Sequence, residues 1–332
     1  MKPHLPSRRR AVLRAIGAGA AALGVPRAFA QADATVTVLV GAASTMDAAA
    51  RMTSDFLREA LGRPVITVSK LGAGGRLALG ELRRAAPDGR TLMLSTSSPF
   101  TIYPNIYTKL EYDPVADFTP ISGVCWFDVA LASGPAVGPV SPATDLKAAI
   151  AWVKSRGREA LYGNAPGQGS ASHFAGIGLS LAIGHPMTSV PYKDSGVGIT
   201  DLVAGRLPLL ITGTGALTEM HKAGRLRLLA TSGPERTPLV NDVPTFKESG
   251  LDVVVVNSVG LYGPPKLPAE IVARLHDAVQ QMLARADLRD RLRGWGMTPA
   301  SMTQQQLAEA LATDRRHFAD LVKKSGYVPE PA

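Results

Sequence analysis

Residues 36–47 read Val36-Thr37-Val38-Leu39-Val40-Gly41-Ala42-Ala43-Ser44-Thr45-Met46-Asp47. A β-branched apolar run gives way to a small-residue loop, and a helical pattern then continues from Asp47 to about Leu61. This is a strand followed by a helix. The order repeats: Val65-Ile66-Thr67-Val68 leads through Gly72-Ala73-Gly74-Gly75 to a helix ending near Ala86, where Pro87-Asp88-Gly89 stops it, and Thr91–Ser95 form a third strand. Strands alternating with helices predict an α/β fold whose sheet is mainly parallel and covered on both faces.

The cycle begins again after the Gly/Pro-rich stretch Ser133–Pro142. A helix is predicted over about 144–156, then a strand at Leu161-Tyr162, the loop Gly163–Ser170, a helix over 172–183, and strands at 188–190, 207–212 and 226–231. Val253-Val254-Val255-Val256 reads as a buried strand returning to the first unit, followed by helices near 268–285, 287–294 and 303–325 with no further strand. The predicted organisation is therefore one lobe from 33–124 and 254–332 and a second lobe from 125–253. The chain would cross between them near Cys125 and near Asn257.

A length of 332 residues with 45% hydrophobic and 19% charged residues fits two domains, each able to bury a core. Cys125 is the single cysteine, so an internal disulfide and any Cys-based zinc cluster are excluded. The net charge of +9 suggests nucleic acid until its location is considered. Six of the 36 cations, Lys2, Arg8, Arg9, Arg10, Arg14 and Arg27, lie within the first 30 residues, where no acid occurs. With the apolar run Ile16–Val25 and the small-residue site Ala28-Phe29-Ala30, this is the three-part pattern of a secretory signal cleaved near Ala30. Arg9-Arg10-Ala11-Val12-Leu13-Arg14 also resembles a twin-arginine signal, with Val12 where an aromatic is usual. Losing that segment lowers the charge from +9 to +3, and the remaining cations form no aromatic-interleaved stripe, so nucleic acid is not the expected partner.

Three loops at strand-to-helix junctions are rich in small residues: Gly41–Asp47, Gly72–Gly75 and Gly163–Ser172. Such junctions expose helix N-terminal N–H groups that favour an anion. Each has a plainer reading. Ser44, Thr45 and Asp47 are residue types that cap helices, Gly72–Gly75 lacks the Gly-Lys-Ser/Thr of a phosphate loop, and Gly167-Gln168-Gly169 lacks the rest of a dinucleotide fingerprint. No serine-hydrolase elbow, zinc-protease helix or calcium loop occurs. His173 beside Ser170 and Ser172 invites a Ser–His pairing, against which stands a helix-start histidine among capping serines. Cys125, followed by Trp126-Phe127, reads as a buried small hydrophobe.

Over about residues 35–325 the sequence resembles the periplasmic receptors of tripartite tricarboxylate transporters, the Bug or TctC family. The resemblance rests on Gly72-Ala73-Gly74-Gly75, Pro87-Asp88-Gly89-Arg90-Thr91-Leu92, Tyr112-Asp113-Pro114-Val115-Ala116-Asp117-Phe118-Thr119-Pro120, Val190-Pro191-Tyr192-Lys193, Ala223-Gly224-Arg225-Leu226-Arg227 and Asp242-Val243-Pro244-Thr245, in that order. It implies an α/β periplasmic binding protein of the two-lobed Venus-flytrap kind (type II), with a mainly parallel sheet in each lobe. The lobes would close on a small organic carboxylate held by loop amides, hydroxyls and water, without a cofactor, a metal or catalysis. A membrane permease of the tripartite type is the implied partner, and a monomer the implied state. The candidate contacts are Ser44, Thr45, Asp47, Gly74, Ser97, Ser170, Ala171, Ser172 and Thr212.

The family's first-lobe pattern, Pro-Gly-Gly-x-x-Asp, here reads Ala42-Ala43-Ser44-Thr45-Met46-Asp47. The aspartate is kept and both glycines are replaced, which alters how closely backbone can approach a ligand there. Gly205-Arg206-Leu207 continues with Pro208, and Thr212 stands where another polar or acidic residue is common in relatives, so pocket polarity also differs. Two other functions stay open at this point: a ligand-sensing partner of a membrane signalling protein, and a secreted hydrolase using Ser170 or Ser172 with His173.

Overall fold

The computed structural model describes residues 35–42, 45–135 and 144–331. The export segment and Ser44 therefore lie outside the described residues.

Strand β1 (Val36–Val40) has four of its five side chains buried, because it runs between two neighbours and beneath helices on both faces. It pairs in parallel with β2 (Val65–Ser69) and β3 (Thr91–Thr96). Helix α1 (Thr45–Leu61) buries Met46, Ala49, Ala50, Thr53, Leu57 and Leu61, one face at helical spacing, against this sheet. Helix α2 (Arg76–Arg84) covers the other face through Ala78, Leu79 and Leu82. Two short helices follow β3, α3 (Ser98–Thr101) and α4 (Tyr103–Ile106).

The longest strand is β4 (Thr119–Ser133), which sequence reading passes over. Pro120, Gly123 and Asp128 interrupt its apolar pattern, yet Gly123 is where Met302 packs: a Cβ there would lie 2.7 Å from Met302 Cβ. Beyond β4 come α5 (Leu146–Arg156), β5 (Leu161–Asn164), α6 (Ala171–Ile183), β6 (Thr188–Pro191), α7 (Ser195–Val203), β7 (Leu209–Gly213), α8 (Thr214–Lys222) and β8 (Arg227–Thr231). The chain closes with β9 (Val256–Gly263), α9 (Ala269–Ala284), α10 (Ala286–Gly294), β10 (Thr298–Met302) and α11 (Gln304–Ser325).

Two sequence expectations are corrected here. The strand after residue 251 is β9, beginning at Val256, where the valine run ends: Val253 and Val255 are buried in an extended connection, and the Val255 N–H donates to Ser232 O at 2.9 Å. Four consecutive valines carry no period, so burial alone cannot locate the strand. The three C-terminal helices are present, but β10 lies between the second and third.

The ten strands of the described residues join one sheet, ordered β2-β1-β3-β9-β4-β7-β5-β6 with β10 and β8 also on β4. Parallel pairing holds for β2-β1-β3 and for β6-β5-β7. At the centre it fails, because β9 runs antiparallel to both β3 and β4, and β4 runs antiparallel to β7 and β8. The first part of β4 pairs with β9 as far as Asp128 opposite Val256; from Val129 opposite Gly213 onward it pairs with β7. One strand thus belongs to two halves of the sheet. Helix α11 ties them further, placing Leu307 and Leu311 in a first-half core and Phe318 and Val322 in a second-half core.

Candidate functional site

In the second half of the sheet, β5 ends at Asn164 and the chain turns through a cis Ala165-Pro166 bond into the start of α6. Ser170 caps that helix: its hydroxyl accepts from the His173 N–H at 3.2 Å and donates to Gly167 O at 2.6 Å. Ser172 donates to Ala165 O at 2.8 Å, and Thr212, at the end of β7, donates to the same carbonyl at 3.3 Å. Thr212 also shares a hydrogen bond of 2.6 Å with Ser195, the first residue of α7. Ala171, Ser172 and Thr212 are buried. The starts of α6 and α7 therefore meet around Ala165, lined with hydroxyls; the α6 amides and dipole favour negative charge there, while the α7 start is already capped by the Asp194 carboxylate, which accepts from the Val197 N–H at 3.1 Å.

His173 does not activate either serine. Its Nδ1 accepts from the Gly169 N–H at 3.3 Å, and burial pushes its pKa down to about 4, so it is neutral at physiological pH. The imidazole packs edge-on against Phe174 and Tyr327, while both serine hydroxyls donate to carbonyls. This geometry gives a serine hydrolase no nucleophile–base pair.

In the first half, the loops after β1 and β2 abut: a Cβ on Gly41 would lie 2.6 Å from Gly75 Cα, so only glycine fits between the two backbones. Gly74, in the left-handed region at φ 63°, offers its carbonyl to the Tyr103 hydroxyl at 3.0 Å. Ser97 is buried beyond the end of β3, and its N–H donates to Ser258 O at 2.7 Å. Next to it, Ser98 donates to Asn257 Oδ1 at 2.8 Å. Thr45 is exposed at the start of α1. Asp47 accepts from Ser69 and from Arg51 Nε at 2.7 Å, and these two contacts, Ser69 first, hold its carboxyl below the usual range.

The structure brings the two sets of loops to one short helix. Tyr103, the first residue of α4, bonds Gly74, while Ile106, the last, touches Gly169, where a Cβ would come within 2.5 Å of the Ile106 Cδ1. Ser170, Ala171, Ser172 and Thr212 form one cluster, whereas Gly74 reaches α4 from the other side. Thr45 and Asp47 stand with Arg51 and Ser69, away from that helix. Sequence reading missed Ser195, Tyr103, Ser98 and Asn257. Ser195 had a signal, since Asp194-Ser195 is a helix-cap pair; the other three join the site only through tertiary packing. A separate concavity of about 990 Å³, with Asp145, His221 and Arg227 in its lining, lies at the far end of β4 and contains none of the predicted residues.

Where β4 changes partners, Asp128 is buried with Thr214 and Thr231, each of them less than 4% exposed. Burial pushes its carboxyl up to about 6, while the Thr214 and Thr231 hydroxyls and nearby backbone N–H groups partly offset that rise. Beside it the halves touch backbone to backbone: a Cβ on Gly215 would lie 2.9 Å from Gly296 Cα, and one on Gly296 would lie 2.6 Å from Gly215 Cα.

A mixed sheet sharing one long strand between two halves is the fold of solved periplasmic binding proteins. The solved periplasmic binding protein BugD superposes with a TM-score of 0.76 at 27% identity, covering 90% of this chain and 99% of BugD. The malate-bound MatC of Rhodopseudomonas palustris gives 0.74 at 30% identity, over 87% of this chain and 98% of its own. The adipate complex of R. palustris Rpa4515 gives 0.79 at 26%, over 89% and 98%. Residues 49–327 match the family model described as tripartite tricarboxylate transporter family receptor, and the chain belongs to that family.

Proposed function

We propose that this protein is an exported receptor that captures a small organic carboxylate between two lobes and hands it unchanged to a tripartite tricarboxylate-type permease. Residues 33–124 and 254–332 form one lobe in this reading and 125–253 the other, with residues 1–30 as the export signal and the mature protein a monomer. The observation that carries it is the meeting of the α6 and α7 starts around Ala165, lined by Ser170, Ser172, Ser195 and Thr212. A carboxylate placed there would take N–H hydrogen bonds from the α6 start and draw hydroxyls such as Ser170 and Ser172 away from their carbonyl acceptors, because charge-assisted bonds are stronger than the neutral ones they replace. Gly74 and Ser97 supply the opposing wall. The solved relatives with malate and with adipate support a carboxylate as ligand.

Binding shifts an open–closed equilibrium because both lobes touch the same anion only in the closed form. The crossing at Asp128–Val129 is the natural pivot. Asp47, already engaged by Arg51 and Ser69, orients water or a ligand donor group and does not face a carboxylate directly, since like charges repel. A thermal-shift screen against mono-, di- and tricarboxylates tests the reading: a ligand at a hundred times its Kd stabilises the native state by about 2.7 kcal/mol. A rise with at least one carboxylate is expected, and no rise with any of them contradicts it.

A further inference from the structure

Arg76 is the first residue of α2 and follows directly on Gly72–Gly75. Its guanidinium carbon sits 4.4 Å from the centre of the Tyr107 ring. Its Nη1 is buried without a hydrogen-bond partner, and among the described residues no carboxylate pairs with it. Nearby cations differ. Arg51 faces Asp47, Lys70 faces Glu81, and Arg83, two turns further along α2, lies 3.6 Å from Asp117. The tyrosines around Arg76 supply no negative charge, because burial pushes Tyr103 up to about 12 and raises Tyr112 further.

The surroundings of Arg76 connect it to both ligand loops. Tyr107 meets Tyr103 edge-on, with ring centres 5.4 Å apart, and Tyr103 bonds the Gly74 carbonyl. Ile106, adjacent to Tyr107, touches Gly169 at the turn leading into α6. A guanidinium stacked on an aromatic ring has its plane fixed, and its unused N–H edge is pre-set for two-point recognition of a carboxylate. A buried donor left without an acceptor is costly, so an anionic ligand group would relieve Nη1 as it binds.

We propose that Arg76 reads a second acidic group on the ligand, so that the cleft selects dicarboxylates over monocarboxylates of equal chain length. This rests on the carboxylate-receptor reading above. The hydroxyl-lined starts of α6 and α7 take one carboxylate, and Arg76 takes the other.

The test is titration calorimetry of the mature protein with succinate against butyrate and adipate against hexanoate, for wild type, Arg76→Gln, Arg76→Lys and Tyr107→Leu. Wild type should prefer the dicarboxylate of at least one pair. Arg76→Gln should weaken that dicarboxylate about tenfold or more while changing its monocarboxylate partner less than about twofold. Arg76→Lys, which keeps the charge but loses the planar fork, and Tyr107→Leu, which removes the stacking platform, should each fall between. Circular dichroism checks that each variant is folded; if Arg76→Gln is not, Arg76→Lys decides, and an unchanged di-to-monocarboxylate ratio there overturns the proposal. Equal weakening of both ligands by Arg76→Gln, no weakening, or a wild type that binds both members of each pair equally well also overturns it and leaves the carboxylate reading standing. A wild type that binds none of the four acids overturns the proposal, and the carboxylate reading falls with it only when the thermal-shift screen also finds no carboxylate ligand.

Discussion

The loop before α6 and the loop before α1 are both strand-to-helix junctions built from small residues and hydroxyls, yet they are organised differently. Around Ala165 the Ser172 and Thr212 hydroxyls are buried and that of Ser170 is half-buried, all three donate to carbonyls, and the Asp194 carboxylate caps the adjoining α7. At α1, Asp47 sits near the surface, tied to Arg51 and Ser69. In the proposed reading the α6 side of the first arrangement suits an anion, because its donors are fixed before binding, while the α7 start is already capped by Asp194. The second has spent its charge internally. An anion-binding cleft can therefore be asymmetric, with recognition concentrated on one wall and the opposing wall supplying shape and secondary contacts.

The comparison breaks first at the α6 loop. Replacing Ser170 and Ser172 together by tryptophan should lower carboxylate affinity at least about a hundredfold in calorimetry while the protein remains folded, since the side chains would occupy the space where N–H and O–H donors converge. Unchanged affinity would move the site elsewhere.

Two buried titrating groups, one in that loop and one at the crossing, sharpen the contrast through stability. Asp128 is raised from 3.8 to about 6, so between those values the folded state binds more protons than the unfolded one, and stability falls as pH rises through the window. The penalty, roughly 3 kcal/mol for a shift of about two units, is complete above pH 6 and absent below the unfolded value. Asp128→Asn should accordingly melt higher than wild type at pH 7.5 and lose that advantage as pH falls through the window. His173 works oppositely. Its pKa drops from 6.5 to about 4, so the unfolded state takes up a proton first, and stability is lost as pH falls from 6.5 toward 4. Thermal melts of Asp128→Asn should therefore reveal an acid destabilisation that the aspartate partly masks in wild type.

Smaller effects follow at the surfaces between and around the halves. Gly215→Val should destabilise by about 2 kcal/mol, because its Cβ collides with backbone at Gly296 and Trp295, which cannot rotate away. Denaturant midpoints measure it. Arg51→Ala should cost less than about 1 kcal/mol, given that the Arg51 side chain is 61% exposed and the pair is screened by solvent. A larger loss there would mean that the α1 loop carries more of the structure than its exposure suggests.

Much of this was legible in the sequence, for identifiable reasons. β1, β2 and β3 announced themselves through β-branched runs bounded by glycine, and the α6 cap through Ser170 before a small-residue helix. β4 was hidden because its residues serve two halves of the sheet and include a glycine and a buried acid that break any period. The valine run pointed a few residues too early, since burial in the connection looks like burial in a strand. The serines of α6 were visible as a group, whereas Tyr103, Asn257 and Arg76 came near the candidate loops only through tertiary packing around α3 and α4.

The central claim is that a carboxylate is held where the α6 and α7 starts converge. A crystal structure grown with the carboxylate that gives the largest thermal shift tests it most directly. The account predicts a carboxylate oxygen within about 3 Å of donors from Ser170, Ser172, Ser195 or Thr212, with Gly74 on the opposing wall. Density for the acid in the concavity beside Asp145 and Arg227, with the α6 loop holding none, would contradict it.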